Sequence, residues 1–334
     1  MIITLSLDAE ITCIDAMINE LESLGFECQT NIGKKYTIIH VIGDTSRYDH
    51  KKLYAYACVK SVIRIQEPYQ KTQKQSLKEK TIIEVKNLRI GDHNPVYIGG
   101  PCSIESLDQM DEIASIVASS GAQILRGGAF KPRTSPYDFQ GFGKEALEHL
   151  KTVGEKYQLI TVSEILDVND LALFENYVDI IQVGARNMQN TVLLKALGKS
   201  SKPVLLKRGF GNTVEEWLMS AEYIIANGNP NVILCERGIR TFEPSTRHTL
   251  DLAGVLYVKQ ISHLPVIVDP SHAAGRWELV EGLAKASIAM GADGVMIEVH
   301  PDPERALSDG AQALKPSRFK TLIKQLNRLH EAKK

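Results

Sequence analysis

Eight short apolar runs, rich in Val and Ile, recur along the chain from residue 96 onward. They occupy residues 96–99, 123–125, 159–162, 180–183, 204–206, 232–234, 266–268 and 295–297. Near-continuous apolar runs of this length are typical of parallel strands that are buried on both faces. Each gap leaves room for one amphipathic helix and two loops. The pattern predicts a (β/α)8 barrel over residues 81–334, with a short strand at 81–85 that caps its lower end.

The first 67 residues follow a different order of elements. Their patterning predicts strands at residues 2–7, 26–30, 36–42 and 61–66, with helices at 10–24 and 48–58. The resulting βαββαβ order indicates a small ferredoxin-like domain. Residues 68–80 contain three Gln, four Lys and little apolar content, which favours a linker. We therefore expect two domains, at 1–67 and 81–334, joined by residues 68–80.

Four side chains that can bind a metal ion follow three of the predicted strands. Cys102 follows the first, His272 the seventh, and Glu298 and Asp309 the eighth. These strands are neighbours in a closed barrel, and the C-terminal ends of barrel strands carry the chemistry. A lone cysteine is more often a buried thiol, and an Asp before Gly310 can simply stabilise a turn. Together, however, the four suit one divalent ion, either Mn, Fe, Co, Zn or Cu.

Basic side chains form a second set at or just after the strand ends. Its members are Arg126, Lys131, Arg133, Arg186, Lys207, Arg208, Arg237 and Arg240. Any one of them could be a solvated or salt-bridged surface group. Two like charges about 5 Å apart repel by roughly 3 kcal/mol at an effective dielectric near 20, so the whole set indicates phosphate-bearing, polyanionic ligands. The loop at 131–135, Lys-Pro-Arg-Thr-Ser, predicts a second phosphate clamp.

Composition excludes several classes of partner. The chain has 39 Lys plus Arg and 40 Asp plus Glu, for a formal net charge of −1, so we expect neither a nucleic acid nor a membrane partner. No apolar run approaches the roughly 18 residues that a bilayer requires, and no basic leader follows Met1, which predicts a cytoplasmic protein. Five cysteines without a CxxC pair fit a reducing compartment. We expect Cys13, Cys28 and Cys58 to be small core hydrophobes and Cys235 to be structural.

Several strand-end segments, taken together, resemble the 3-deoxy-D-arabino-heptulosonate 7-phosphate (DAHP) synthases. They are Gly-Gly-Pro-Cys-Ser-Ile-Glu-Ser at 99–106, Leu-Arg-Gly-Gly-Ala-Phe-Lys-Pro-Arg-Thr-Ser-Pro at 125–136, Gly-Ala-Arg-Asn at 184–187, Leu-Lys-Arg-Gly at 206–209 and Asp-Pro-Ser-His at 269–272. Within this family, the chain more closely resembles the type Iβ subgroup, which has an N-terminal ferredoxin-like regulatory domain. The resemblance covers nearly the whole chain, although residues 1–67 carry no motif as specific.

The resemblance implies a metal-dependent transferase that condenses phosphoenolpyruvate with erythrose 4-phosphate and releases phosphate, the first step of the shikimate pathway. It implies that phosphoenolpyruvate is bound by Arg126, Lys131, Ala185, Arg186, Lys207 and Arg237. It implies that erythrose 4-phosphate is bound by Lys131, Pro132, Arg133 and Thr134. The ion held by Cys102, His272 and the two carboxylates would polarise or orient the aldehyde, and Lys131 is our candidate proton donor.

The resemblance also bears on regulation and assembly. A homotetramer is expected, and an aromatic end product, tyrosine or phenylalanine, is expected to bind near residues 1–67 and inhibit the barrel. A passive role in oligomerisation or solubility is the alternative for that domain.

Three other functions are compatible with parts of the pattern. A 3-deoxy-D-manno-octulosonate 8-phosphate synthase uses the same barrel with arabinose 5-phosphate, but those enzymes resemble a Lys-Ala-Asn-Arg-Ser pattern where this chain has Lys-Pro-Arg-Thr-Ser at 131–135. A Schiff-base aldolase could use Lys207, although the four metal ligands argue against it. An amino-acid sensor on a degenerate barrel is disfavoured because every expected site residue is present.

Overall fold

The computed structural model describes residues 1–33, 36–45, 48–64, 69–74, 80–133 and 135–333. Within it the chain divides into two compact units, Met1–Gln70 and Lys71–Lys334. The expected domain limits at 67 and 81 adjoin residues 65–68 and 75–79, which lie outside the described residues, so they stay predictions. Residues 71–74 of the expected linker belong to the second unit, and Lys74 N donates to Ile261 O there.

The N-terminal unit is a four-stranded antiparallel sheet that packs against one α-helix. Its elements are β1 (Ile2–Leu5), α1 (Ile11–Ser23), β2 (Glu27–Ile32), β3 (Thr37–Ile42), a 3-10 helix (His50–Ala55) and β4 (Val59–Ile63). The strand order is β2-β3-β1-β4, and β1 pairs antiparallel with both β3 and β4. Ile3, Leu5, Met17, Leu21 and Ile39 form its buried core. This is the expected ferredoxin-like arrangement.

The second helix predicted for this unit, over residues 48–58, is wrong in kind and length. Only the six residues His50–Ala55 are helical, and they form a 3-10 helix. The Asp49 side chain accepts a hydrogen bond from Lys51 N and starts the segment, whereas Tyr56 is already extended. Because β4 begins at Val59, the connection is too short for several α-helical turns.

A β-hairpin precedes the barrel. Its strands β5 (Ile83–Val85) and β6 (Leu88–Ile90) pair antiparallel. Ile83 and Ile90 belong to the same buried cluster as Ile98 of the barrel interior, so the hairpin closes one end of the barrel core. The sequence predicted the first of these strands but not the second.

Eight parallel strands then form a closed barrel, as predicted. They are β7 (Val96–Gly100), β8 (Ile124–Arg126), β9 (Ile160–Ile165), β10 (Ile180–Val183), β11 (Val204–Lys207), β12 (Val232–Glu236), β13 (Val266–Val268) and β14 (Gly294–Glu298). Because β14 pairs with β13 on one side and β7 on the other, the first, seventh and eighth barrel strands are neighbours.

Helices follow the strands and cover the barrel. They are α2 (Leu107–Ser119), α3 (Lys144–Tyr157), α4 (Leu171–Tyr177), α5 (Thr191–Leu197), α6 (Val214–Ala226), α7 (Leu252–Ile261), α8 (Pro270–Ala274), α9 (Trp277–Met290) and α10 (Pro316–Glu331). Local signals start several of them: Ser106 caps α2, and Thr213 with Glu216 forms a capping box on α6. None of the described helices has both the length and the apolar character that crossing a membrane requires.

Two of the cysteines expected to be simple core residues are joined to each other. Cys13 on α1 and Cys58 just before β4 form a disulfide, with Cα atoms 6.0 Å apart. The expectation of core thiols is therefore wrong for this pair, because a sequence separation of 45 residues carries no local spacing signal. The bond also runs against the reducing compartment expected from the cysteine pattern. Cys28 and Cys235 are free, and Cys235 is fully buried on β12.

Candidate active site at the C-terminal mouth of the barrel

The four predicted metal ligands meet at the C-terminal ends of β7, β13 and β14. Cys102 lies two residues past β7, His272 lies in α8, and Glu298 is the last residue of β14. Asp309 precedes the 3-10 helix Gly310–Gln312 in a left-handed conformation, φ +52°. One donor atom from each lies within 4.8 Å of the others, so the structure brings the whole predicted set together.

The donor atoms suit a shared ion in spacing and in chemistry. Cys102 Sγ is 3.2 Å from Asp309 Oδ2, and His272 Nε2 is 3.1 Å from Glu298 Oε1. Donors about 2.0–2.3 Å from one divalent ion are less than about 4.6 Å apart, so only small movements separate the observed spacing from coordination. A thiol, an imidazole and two carboxylates fit a borderline divalent ion.

Burial and neighbouring charges oppose each other at these ligands. Burial raises the pKa of the Cys102 thiol, an effect that Glu298 reinforces and Lys131 opposes. Burial lowers the pKa of His272 despite the nearby carboxylates of Asp269 and Glu298. For Asp309, burial is outweighed by the charges of its neighbours, so its pKa lies below the ordinary range. The lowered pKa of His272 favours a neutral imidazole near pH 7, which is the ligand form of histidine.

Cationic side chains surround a cavity of about 270 Å³ beside this cluster. Its walls include the predicted substrate residues Arg126, Lys131, Pro132, Arg133, Ala185, Arg186, Lys207 and Arg237, together with Arg240 and the ligands His272 and Asp309. Thr134 lies outside the described residues. Arg208 is not among the lining residues, because its guanidinium pairs with Glu236 at 3.0 Å and Asp251 at 2.8 Å.

Three of the cations are held by groups at the base of the site. Arg126 Nη1 donates to Glu298 Oε1 at 2.6 Å, and Lys207 Nζ to Asp269 Oδ2 at 2.6 Å. Lys131 Nζ is 2.9 Å from Cys102 Sγ and 3.0 Å from the Cys102 carbonyl oxygen. These groups are almost fully buried, so the charges are fixed in position before any ligand binds.

Three further guanidinium groups gather around one aromatic ring. The guanidinium carbons of Arg186, Arg237 and Arg240 lie 5.4, 4.7 and 5.5 Å from the centre of the Phe210 ring. His248 stacks on the same ring. Burial and the charges of neighbouring arginines lower the pKa of His248 to about 4, so it is neutral near pH 7. The arrangement concentrates positive charge on one wall of the cavity.

Several site residues were not predicted as such from the sequence. Glu164 lines the cavity from β9 and accepts a hydrogen bond from Gln182. Asp269 Oδ2 lies 2.7 Å from His272 Nδ1, within ion-pair distance although without hydrogen-bond geometry. Both follow predicted strands, and that position was an available signal. Arg247 lies in an irregular loop and Gln312 ends the short 3-10 helix Gly310–Gln312, and neither position carries a recognisable sequence pattern.

Two family models and several known proteins match this chain. A family model for the DAHP synthetase I family matches residues 71–334, and one for a DAHP synthase ferredoxin-like domain matches residues 1–67. A phospho-2-dehydro-3-deoxyheptonate aldolase of Thermotoga maritima is 46% identical over 319 residues, 96% of this chain and 94% of that protein.

Solved structures and a second group of enzymes complete the comparison. A crystal structure of the Thermotoga maritima DAHP synthase superposes with a TM-score of 0.94 at 45% identity, covering 99% of this chain and 97% of that one. A truncated form of that synthase covers 78% of this chain and 96% of its own, with a TM-score of 0.73 and 46% identity. A 2-dehydro-3-deoxyphosphooctonate aldolase of Magnetococcus marinus is 30% identical, covering 75% of this chain and 93% of that enzyme.

Proposed function

Because this chain belongs to the DAHP synthetase I family, we propose that its barrel mouth condenses phosphoenolpyruvate with erythrose 4-phosphate beside a bound divalent ion. The reaction is a group transfer that yields DAHP and inorganic phosphate at the start of the shikimate pathway. The observation that carries this proposal is that four metal-ligand side chains meet beside a cavity lined by cationic side chains.

Phosphoenolpyruvate binds among the more buried cationic side chains of the cavity. Arg126, Lys131, Arg186, Lys207 and Arg237 bind its phosphate and carboxylate, with the Ala185 backbone beside them. Arg126, Lys207 and Arg237 are each 3% exposed, so their charges act where water screens them little. Charge-assisted contacts of this kind are about twice as strong as neutral ones.

Erythrose 4-phosphate occupies the loop after β8. Lys131, Pro132 and Arg133 line the cavity there, and Arg133 Nε donates to Phe139 O at 3.0 Å, which orients its guanidinium. The part of Thr134 in this clamp rests on the resemblance of the 131–135 segment to the family. Two clamps that share Lys131 bring the two substrates side by side.

The proposed ion is held by Cys102, His272, Glu298 and Asp309. When bound, it supplies Lewis-acid polarisation of the aldehyde carbonyl. Bond formation between C3 of phosphoenolpyruvate and the aldehyde carbon leaves a developing alkoxide. Lys131 donates the proton that this oxygen requires, since its Nζ lies beside Cys102 Sγ and the side chain lines the cavity. Water adds at C2, and inorganic phosphate leaves by C–O cleavage.

Regulation is proposed to reside in residues 1–67. The match of this segment to a DAHP synthase ferredoxin-like domain supports inhibition by tyrosine or phenylalanine. Its exposed apolar side chains include Leu7, Ile11 and Ile32, each more than 70% exposed, so apolar surface is available there for a ligand or another chain. We also propose a cytoplasmic homotetramer.

One assay tests substrate and metal together. Phosphate release from phosphoenolpyruvate is measured with erythrose 4-phosphate and with arabinose 5-phosphate, before and after chelation. We expect faster turnover with the four-carbon sugar and loss of turnover on chelation. Faster turnover with arabinose 5-phosphate would assign the octulosonate activity instead. Chelation-resistant turnover with borohydride trapping on Lys207 would indicate a Schiff-base aldolase.

A further inference from the structure

The carboxylate ligands each have one oxygen that faces the cluster and one that faces away from it. Asp309 Oδ2 faces Cys102 Sγ, and Glu298 Oε1 faces His272 Nε2. The outward oxygens, Asp309 Oδ1 and Glu298 Oε2, bind side chains that coordinate nothing themselves. Partners of this kind orient the ligands of a metal site.

A single buried amide lies between the two outward sides. Gln312 is 1% exposed, and its Nε2 donates to Glu298 Oε2 at 2.6 Å. Its Oε1 accepts from Arg247 Nη1 at 3.0 Å. The orientation of the amide is unambiguous, because a carboxylate only accepts and a guanidinium only donates. A flipped amide would lose both hydrogen bonds.

Arg247 connects this amide to the second carboxylate. The same Nη1 donates to Asp309 Oδ1 at 3.1 Å. The Arg247 backbone is itself fixed to the segment that carries His272, because its N–H donates to Ala274 O at 3.2 Å. Gly275, with φ +68°, makes this approach possible, since a Cβ there would lie 2.6 Å from Arg247 Cβ.

We propose that Gln312 and Arg247 are positioning residues that hold Glu298 and Asp309 in the orientation required to bind the ion. This inference rests on the metal site of the proposed function. Gln312 accepts from Arg247 and donates to Glu298, so it connects a cation to a carboxylate. Arg247 in turn binds Asp309 and the segment that contains His272. Without the pair, Asp309 Oδ1 loses Arg247 and Glu298 keeps only the contacts of Oε1, among them Arg126 Nη1, so both carboxylates are held less firmly toward the cluster.

Direct metal binding tests this proposal without reference to turnover. The protein is stripped with dipicolinate and titrated with Co²⁺, followed by the thiolate-to-cobalt absorption band and by calorimetry. Gln312→Met keeps the length of the side chain and removes both hydrogen bonds. We expect Gln312→Met and Arg247→Met each to weaken Co²⁺ binding by about 10- to 100-fold, with a cooperative unfolding transition retained by the metal-free protein.

Gln109→Met is the matched control. Gln109 also makes two side-chain hydrogen bonds: it accepts one from Glu105 N and forms one with His300 Nε2. Neither bond involves any of the four metal ligands. Wild-type affinity in Gln109→Met, with weakened binding in the other two variants, supports the proposal. Equal weakening in all three would overturn it, because packing alone would then explain the loss.

The remaining outcomes separate this inference from the metal assignment. Wild-type affinity in Gln312→Met or in Arg247→Met refutes the linked pair, while the metal site stands. Absence of Co²⁺ binding in the wild-type protein refutes the metal site itself. If Gln312→Met fails to fold, Arg247→Met decides the matter, because the Arg247 side chain is 39% exposed and its loss leaves the core intact.

Discussion

The barrel and the N-terminal unit differ in how their strands are covered. Every residue of β7, β10, β11, β12 and β14 is buried. In β2 of the N-terminal sheet, by contrast, five of six residues are exposed. A barrel filled with apolar side chains leaves only its strand ends free for chemistry. A one-sided sheet leaves a whole face free for association or ligand binding.

The mouth of the barrel also contains buried ion pairs. Arg126 with Glu298 and Lys207 with Asp269 form ion pairs in which each side chain is at most 4% exposed. Desolvation makes such pairs weak contributors to stability, so their presence at strand ends is better explained by function. The difference predicts that barrel-mouth substitutions change chemistry and that N-terminal changes alter only its control.

The largest effect is expected from removing the thiol ligand. Cys102→Ala deletes the softest donor of the four. Loss of a residue that only orients a ligand lowers metal affinity by about 10- to 100-fold, and we expect a larger loss here, together with loss of activity. EDTA or dipicolinate should abolish wild-type activity, and an added divalent ion should restore it. Metal content and turnover are measured on the same samples.

Cys28→Ala is the matched control for this thiol. Cys28 is a half-buried, free cysteine on β2 of the N-terminal unit, so its loss should leave metal content and turnover unchanged. Full activity in stripped Cys102→Ala protein would remove the metal assignment and, with it, this contrast between the two units.

An intermediate effect is expected from removing single arginines from the two proposed substrate-binding groups. Arg133→Ala should weaken erythrose 4-phosphate binding with little change for phosphoenolpyruvate, and Arg186→Ala should do the reverse. A charge-assisted contact contributes about 1.5–3 kcal/mol, which corresponds to roughly 10- to 150-fold in affinity. Separate KM values and binding titrations measure the two substrates.

Arg305→Ala serves as the control for these arginines. The Arg305 side chain is 87% exposed and pairs only loosely with Asp302 at 3.5 Å, so its removal should change neither affinity. If Arg133→Ala or Arg186→Ala weakened both substrates equally, the cavity would hold one continuous anion site and the two-clamp arrangement would be wrong.

The contrast between the units also explains which features the sequence could predict. Barrel strands are near-continuous apolar runs, and the ends of neighbouring strands converge, so the meeting of Cys102, His272 and Glu298 followed from chain order alone. The segment His50–Ala55 is a 3-10 helix and not the predicted α-helix. Its length is limited by the start of β4, which the periodicity of the residues does not show.

Long-range pairings between separate segments left no sequence signal. Arg247 reaches Gln312 and Asp309 across more than 60 residues, and Cys13 reaches Cys58 across 45. No periodicity or spacing rule connects such positions, since each contact depends on how two distant segments of the chain come together in the fold. Asp269 was visible in the segment at 269–272, but its contacts with Lys207 and His272 required coordinates.

The smallest effect on the chemistry is expected from removing the N-terminal unit. A chain that begins at Lys71, where the second unit starts, should keep its turnover. The solved truncated form of the Thermotoga maritima synthase supports independent folding of such a barrel. If residues 1–67 regulate the enzyme, inhibition by tyrosine or phenylalanine should disappear from the truncated chain.

The size of the inhibition sets the sensitivity that this comparison needs. An effector inhibits only if it binds the inactive state more tightly than the active one, typically by about 1–3 kcal/mol or 5- to 150-fold. Inhibition curves for tyrosine and phenylalanine are therefore compared between the full and the truncated chain at equal metal content. Inhibition that persists unchanged after truncation places the effector site in the barrel, whereas absence of inhibition in the full chain leaves residues 1–67 a passive association domain.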